Sequence, residues 1–144
     1  MHRIPIKSCK QEPLPQFLEN HGFFVEIVET TTPEAVQVIR VQRHNELPVF
    51  LHASGNQIFF ETDLGNIDAF ADVSLLADLL ELNTEILPAS LGFDCSNPAD
   101  RRLVLVESRE TGDLSDEELL AVFDAFELAT DRVQDLLAPK FQSA

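Results

Sequence analysis

Between Phe23 and Thr62 the chain alternates apolar and polar residues in four short runs, each closed by turn-forming residues. The runs are Phe23–Thr30, Val36–Arg43, Leu47–Ala53 and Gln57–Thr62. A period of two places alternate side chains on opposite faces, which is the signature of a half-buried strand. The spacers Thr31–Glu34, His44–Glu46 and Ser54–Asn56 are too short for the crossover that parallel neighbours need, so the four strands form an antiparallel meander. Pro48 has no N–H to give a ladder, which confines it to the start or edge of its strand.

Helical periods flank this meander. Pro15–His21 is a short helix candidate, with Pro15 in the first turn and Gly22 suited to a left-handed stop. Asp72 is a good N-cap for Val73–Asn83. Val73, Leu76, Leu79, Leu80 and Asn83 share one side of that helix, and Leu75 and Leu82 widen the stripe, so burial on a broad front is expected. Ala89–Cys95 and Arg102–Ser108 read as two further strands joined by Ser96–Asp100. In Ser115-Asp-Glu-Glu118 the spacing is that of a capping box. It opens a long helix to about Leu137, expected to end near Pro139, with Leu119, Val122, Phe123, Phe126, Ala129 and Val133 on its core face. Residues 63–71 fit no element. The order is α-β-β-β-β-α-β-β-α: an α+β fold, a mostly antiparallel sheet of about six strands covered by helices. Residues 1–13 read as a flexible N-terminal arm and 14–144 as a single domain.

The 144 residues, 44% hydrophobic and 24% charged, have the balance of a globular domain. No run approaches the roughly 18 apolar residues of a membrane helix. Met1–Lys7 has basic residues but no apolar stretch after them, so no secretory signal is expected, which implies a reducing cytoplasm. Cys9 and Cys95 have no CxxC spacing, and Cys95, following an apolar run, is expected as a buried thiol. The net charge is −15, and it is uneven: residues 1–60 hold five basic and six acidic side chains, residues 61–144 five and 19. Such a surface repels phosphate backbones and anionic lipids, which argues against nucleic acid and direct membrane binding. It favours a partner protein with a basic segment.

Few residues carry chemistry. His21, His44 and His52, even with Asp94 or Cys95, lack the spacings of metal ligands. Glu61 and Asp63 lie on one side of an extended strand, as paired acid–base carboxylates would, and a solvated polar face accounts for them as well. Ser54-Gly55 is a turn and not a nucleophile elbow, since no helix follows. No cofactor motif is present, and the chain reads as a non-enzymatic protein. Two features remain as partner-binding candidates. The doublets Phe23-Phe24 and Phe59-Phe60 each put one ring on either face of the sheet. The face away from the helices then exposes aromatics, unless the arm and residues 63–71 cover them. Asp124, Glu127, Asp131 and Asp135 repeat at three and four along the last helix, stacking like charges at about 0.2–0.5 kcal/mol per pair. They mark either a docking stripe for basic residues or a solvated face.

The stretch Leu47–Thr62 resembles the leucine–proline, strand, Ser-Gly, strand centre of the YjfI-like bacterial proteins. Leu75–Phe93, with Leu79-Leu80, Asn83 and Ile86-Leu87-Pro88-Ala-Ser90-Leu-Gly92-Phe, is similar to that family's helix and its LPLSS-type strand entry. Ala89 stands where the family prefers a second leucine, and residues 1–13 have no counterpart. The resemblance, from about residue 14 to 138, implies a cytoplasmic protein often encoded beside PspA-like membrane-stress proteins. The element order also resembles the type III secretion chaperone fold: small, acidic, usually dimeric, without enzymatic activity or cofactor. The expectation is an acidic, chaperone- or adaptor-like module that binds a partner protein as a homodimer. The alternative is a small-molecule or metal-sensing domain with a pocket between sheet and helices.

Overall fold

A computed structural model describes residues 14–30, 37–54, 56–69, 72–110, 112 and 114–142. Its elements are α1 (Leu14–Asn20), β1 (Phe24–Thr30), β2 (Gln37–Gln42), β3 (Val49–Ser54), β4 (Gln57–Asn66), a 3-10 turn (Ile67–Ala69), α2 (Val73–Asn83), β5 (Ser90–Asp94), β6 (Arg102–Glu110) and α3 (Asp116–Gln142). The strands form one six-stranded sheet in the order β1-β2-β3-β4-β6-β5. The pairs β1–β2, β2–β3, β3–β4 and β5–β6 are antiparallel. The α+β class and the element order are those expected. The turn at 31–34 and the 1–13 segment lie outside the described residues.

The chain divides into two compact units, 1–62 with 108–123, and 63–107 with 124–144. Three elements run from one unit into the other: β4 at residues 62 and 63, β6 at 107 and 108, and α3 at 123 and 124.

The first unit is built on β1–β3 and the first part of β4. Gly22 at φ +89° ends α1, with the Phe23 amide donating to Leu18 O at 3.1 Å and the Gly22 amide to Glu19 O at 3.2 Å. These two bonds make a Schellman stop, whose left-handed position glycine adopts without strain. Across the strands Ile39 pairs with Leu51 and Leu51 with Phe60, so buried residues line up on the inner face. Phe123, from the first turns of α3, lies on Phe23 and Phe60 with ring centroids at 4.7 and 5.8 Å. The Thr62 hydroxyl, buried at the end of this face, donates to Pro48 O at 3.1 Å. Before α3, the Ser115 hydroxyl accepts from the Glu118 amide at 3.1 Å, the expected cap.

In the second unit the Asp72 carboxylate accepts from the Leu75 amide at 2.7 Å and caps α2. Leu75, Leu79 and Leu82 are buried, whereas Val73 is 86% and Leu80 71% exposed. Burial of α2 is therefore one-sided, contrary to the expected broad front: its apolar stripe is wider than the surface available to cover it. β4 continues through Asp63–Asn66, residues that fit no strand pattern, because side chains hold them in place of an apolar face. Arg102 donates to both Asp63 carboxylate oxygens at 3.1–3.2 Å and to Asp100 at 3.1 Å. Asn66 donates to Asp100 at 2.6 Å, and Arg101 to Asp68 at 2.6 Å. The α3 helix does not stop at Pro139 but continues to Gln142. Proline adopts the helical φ itself and costs one donor and some strain in the preceding turn, which bends or ends a helix according to what surrounds it.

Candidate functional site

Alternation along β1–β4 sorts the phenylalanine doublets. Phe23 and Phe60 are buried in the inner core, and Phe24, 68% exposed, and the half-buried Phe59 belong to the outer face. Only the outward pair can touch a partner directly. The outer face carries the cross-strand row Glu26, Arg40, Phe50, Glu61 and, two pairs along, the row Val38, His52, Phe59. The His52 ring stacks on Phe59 with centroids 4.9 Å apart. Partial burial there pushes the His52 imidazole below its ordinary value of 6.5, because a half-desolvated ring resists taking up charge.

His21, Asp94 and Asp63, also weighed for chemistry, have structural partners. His21 Nδ1 lies 2.9 Å from Phe17 O, next to the Phe17 ring. Asp94 accepts from the Ser96 amide at 3.0 Å, and hydrogen bonds from Ser96 hold its carboxyl below the usual range. Asp63 is in the ion cluster on Arg102, and Glu61 is exposed on the outer face. Cys95 is exposed, contrary to expectation, because β5 has already ended at Asp94 and the chain turns outward. Among the described residues no cluster of three or more His, Cys, Asp or Glu side chains could hold a metal ion, and no helix is long and apolar enough to cross a membrane.

Of the acidic stripe, Asp124, Asp131 and Asp135 are exposed and Glu127 is half-buried. Exposed Leu128 lies among them, one turn from both Asp124 and Asp131. Arg132 is turned aside to Glu85 on the stretch after α2, at 3.1 Å.

The second unit also holds a surface that the sequence did not single out. Leu76, Leu79, Leu80 and Asn83 of α2, Leu91, Gly92 and Phe93 of β5, and Leu103 of β6 line a groove of about 320 Å³. Leu80 and Phe93, the latter 50% exposed, leave it open to solvent. Its signal in the sequence was the excess of leucine on α2. Two overlapping stripes, 73-76-80 and 75-79-82, are more than one helix face can bury.

Comparisons with known proteins agree with this α+β fold. The model of the Tir chaperone protein (CesT) family matches residues 31–130. The chain belongs to this family. Among solved structures it is similar to a chain of the heterodimeric ExoU–SpcU complex from the type III secretion system of Pseudomonas aeruginosa, at 19% identity and a TM-score of 0.65. That match covers 88% of this chain and 98% of the other. It is similar also to YbjN from E. coli, at 20% identity and a TM-score of 0.63 over 90% of each chain. At such identities these two structures establish the fold of the CesT-family chain. A search of curated proteins finds no match.

Proposed function

We propose that this CesT-family chain is a non-enzymatic, chaperone- or adaptor-like protein that holds a partner protein, and that it works as a homodimer joined at the α2–β5 groove. The observation that carries this reading is the groove itself: an apolar trough whose rim residues, Leu80 and Phe93, are left in water. Exposed apolar surface of this kind is costly in isolation and marks a place where another molecule sits. The acidic stripe of α3, with Leu128 in its midst, offers charge and a small apolar contact to a basic segment of the partner. Phe24 and Phe59 give the partner a second, aromatic contact on the outer sheet face. The narrower YjfI-like likeness, carried by Leu47–Thr62 and Leu75–Phe93, is part of the same reading.

Light scattering on a sizing column tests the dimer. The expected mass is twice 16.1 kDa, falling to 16.1 kDa when Leu80→Glu or Phe93→Glu puts a charge on the groove rim. A wild-type monomer at about 50 µM removes the homodimer, since a modest functional interface is filled at that concentration.

A second reading takes the groove as a small-molecule pocket. Its volume of about 320 Å³ lies at the lower end of the range for such sites, and leucines dominate its lining. A wild-type monomer whose unfolding temperature rises with an apolar ligand, and does not rise in Leu80→Glu, supports that alternative.

A further inference from the structure

β5 is the last strand of the sheet, so among the described residues no strand lies on one side of its backbone. A bare edge is a template for strand addition by any extended chain. In an antiparallel ladder, alternate residues turn their N–H and C=O toward the neighbouring strand and the others turn them away. Leu91 is opposite Leu105 in the β5–β6 register, yet its amide donates to Asn83 Oδ1 at 2.7 Å. The Asn83 side-chain amide in turn donates to Leu91 O at 3.4 Å. Both polar groups of Leu91 thus face outward, toward α2, as those of Phe93 then must by alternation. One residue upstream of the strand, the Ala89 amide is also taken, donating to Ile86 O at 3.1 Å.

We propose that Asn83 is an edge plug. It occupies the outward hydrogen-bonding groups of Leu91 at the head of the groove, so that a strand cannot pair with β5 at that position. The second copy that fills the groove does so by inserting apolar side chains between α2 and β5. The pairing geometry suits this role: a primary amide presents one acceptor and two donors, which matches the acceptor and donor of a peptide group as a neighbouring strand does. Asn83 is the last residue of α2, and the Thr84 cap behind it keeps the helix end in place, its amide donating to Glu81 O at 3.3 Å. This inference rests on the groove being a docking surface, and it fixes how the docking is done.

Asn83→Leu is the informative variant, because it keeps the branched outline of the side chain, is apolar toward the groove and removes both hydrogen bonds. Two quantities are read. By amide exchange, Leu91 should exchange about tenfold faster than in wild type, the worth of one hydrogen bond, while Gly92, bonded to β6, keeps its rate. By light scattering from about 10 to 500 µM, the variant should form species heavier than the wild type at equal concentration, since an open edge recruits strands. Asn83→Asp, which still accepts from the Leu91 amide, should keep that amide protected and the wild-type mass. If Asn83→Leu does not fold, Asn83→Ala is read in its place. An unchanged Leu91 exchange rate overturns the proposal, as does faster exchange with no gain in mass. The mass of the wild type alone decides the homodimer, and the difference between variant and wild type decides the plug, so each idea can fail without the other.

Discussion

Phe123 lies at the point where the first unit closes, against Phe23 on one side and Phe60 on the other. All three rings are buried, and Arg43 covers the open side of Phe23, its guanidinium carbon 4.4 Å from the ring centroid. Removing the central ring leaves a void that its stiff neighbours cannot fill, so Phe123→Ala should cost about 3–5 kcal/mol in chemical denaturation. His52 makes the opposite kind of contribution. Burial disfavours its charged form in the fold, so the unfolded chain binds the extra proton first as pH drops. Its share of stability is complete above its ordinary 6.5 and is lost as the pH falls below that value. On this face the ladder places Arg40 and Glu61 two pairs along from His52. Thermal unfolding midpoints should decline from pH 7.5 to 5.5 in the wild type, with a shallower slope in His52→Gln. At this scale the sequence was most readable where a side chain acts on backbone close by. Asp72, Ser115 and Gly22 sit where their chemistry puts them, because a cap or a left-handed stop involves only the next three residues. Cys95 was not readable in this way, since its exposure depends on where β5 ends.

Helix α3 shows what periodicity settles and what it does not. Leu119, Val122, Phe123, Phe126 and Val133 are buried as their spacing requires. The acidic residues on its other side are exposed or half-buried, and spacing alone does not distinguish a solvated face from a docking stripe. The distinction is experimental. Replacing Asp124, Glu127, Asp131 and Asp135 by Asn or Gln removes like-charge neighbours, so denaturation should show equal or slightly greater stability, by a few tenths of a kcal/mol. The association rate with a basic partner segment should fall at low salt and match the wild type at high salt, where screening already hides the charges. An unchanged rate at low salt assigns the stripe to solvent. In α2 the same periodicity identified the helix and its cap but implied too much burial. The hydrophobic pattern records a preference to leave water, not whether this chain alone supplies the cover, and Val73 and Leu80 remain outside. The end of β4 failed in the reverse sense, because Asp63–Asn66 is held by Arg102 and Asp100, partners far along the chain that no local window contains.

Across the whole molecule, fold class and element order were legible, because alternating runs, turn residues and helix caps agreed with one another. The candidate surfaces were legible only in part: the doublets pointed to the outer sheet face, whereas the α2–β5 groove is formed by residues from three separate elements. Because β4, β6 and α3 each pass from one compact unit into the other, no single cut parts the two units, and neither can be exchanged between relatives as one uninterrupted stretch of gene. A product ending at Thr62 keeps Phe23 and Phe60 but has surrendered Phe123, the ring on which both rest. Such a fragment should show no cooperative unfolding by circular dichroism. A premature stop anywhere before residue 123 should likewise leave the first unit without that ring.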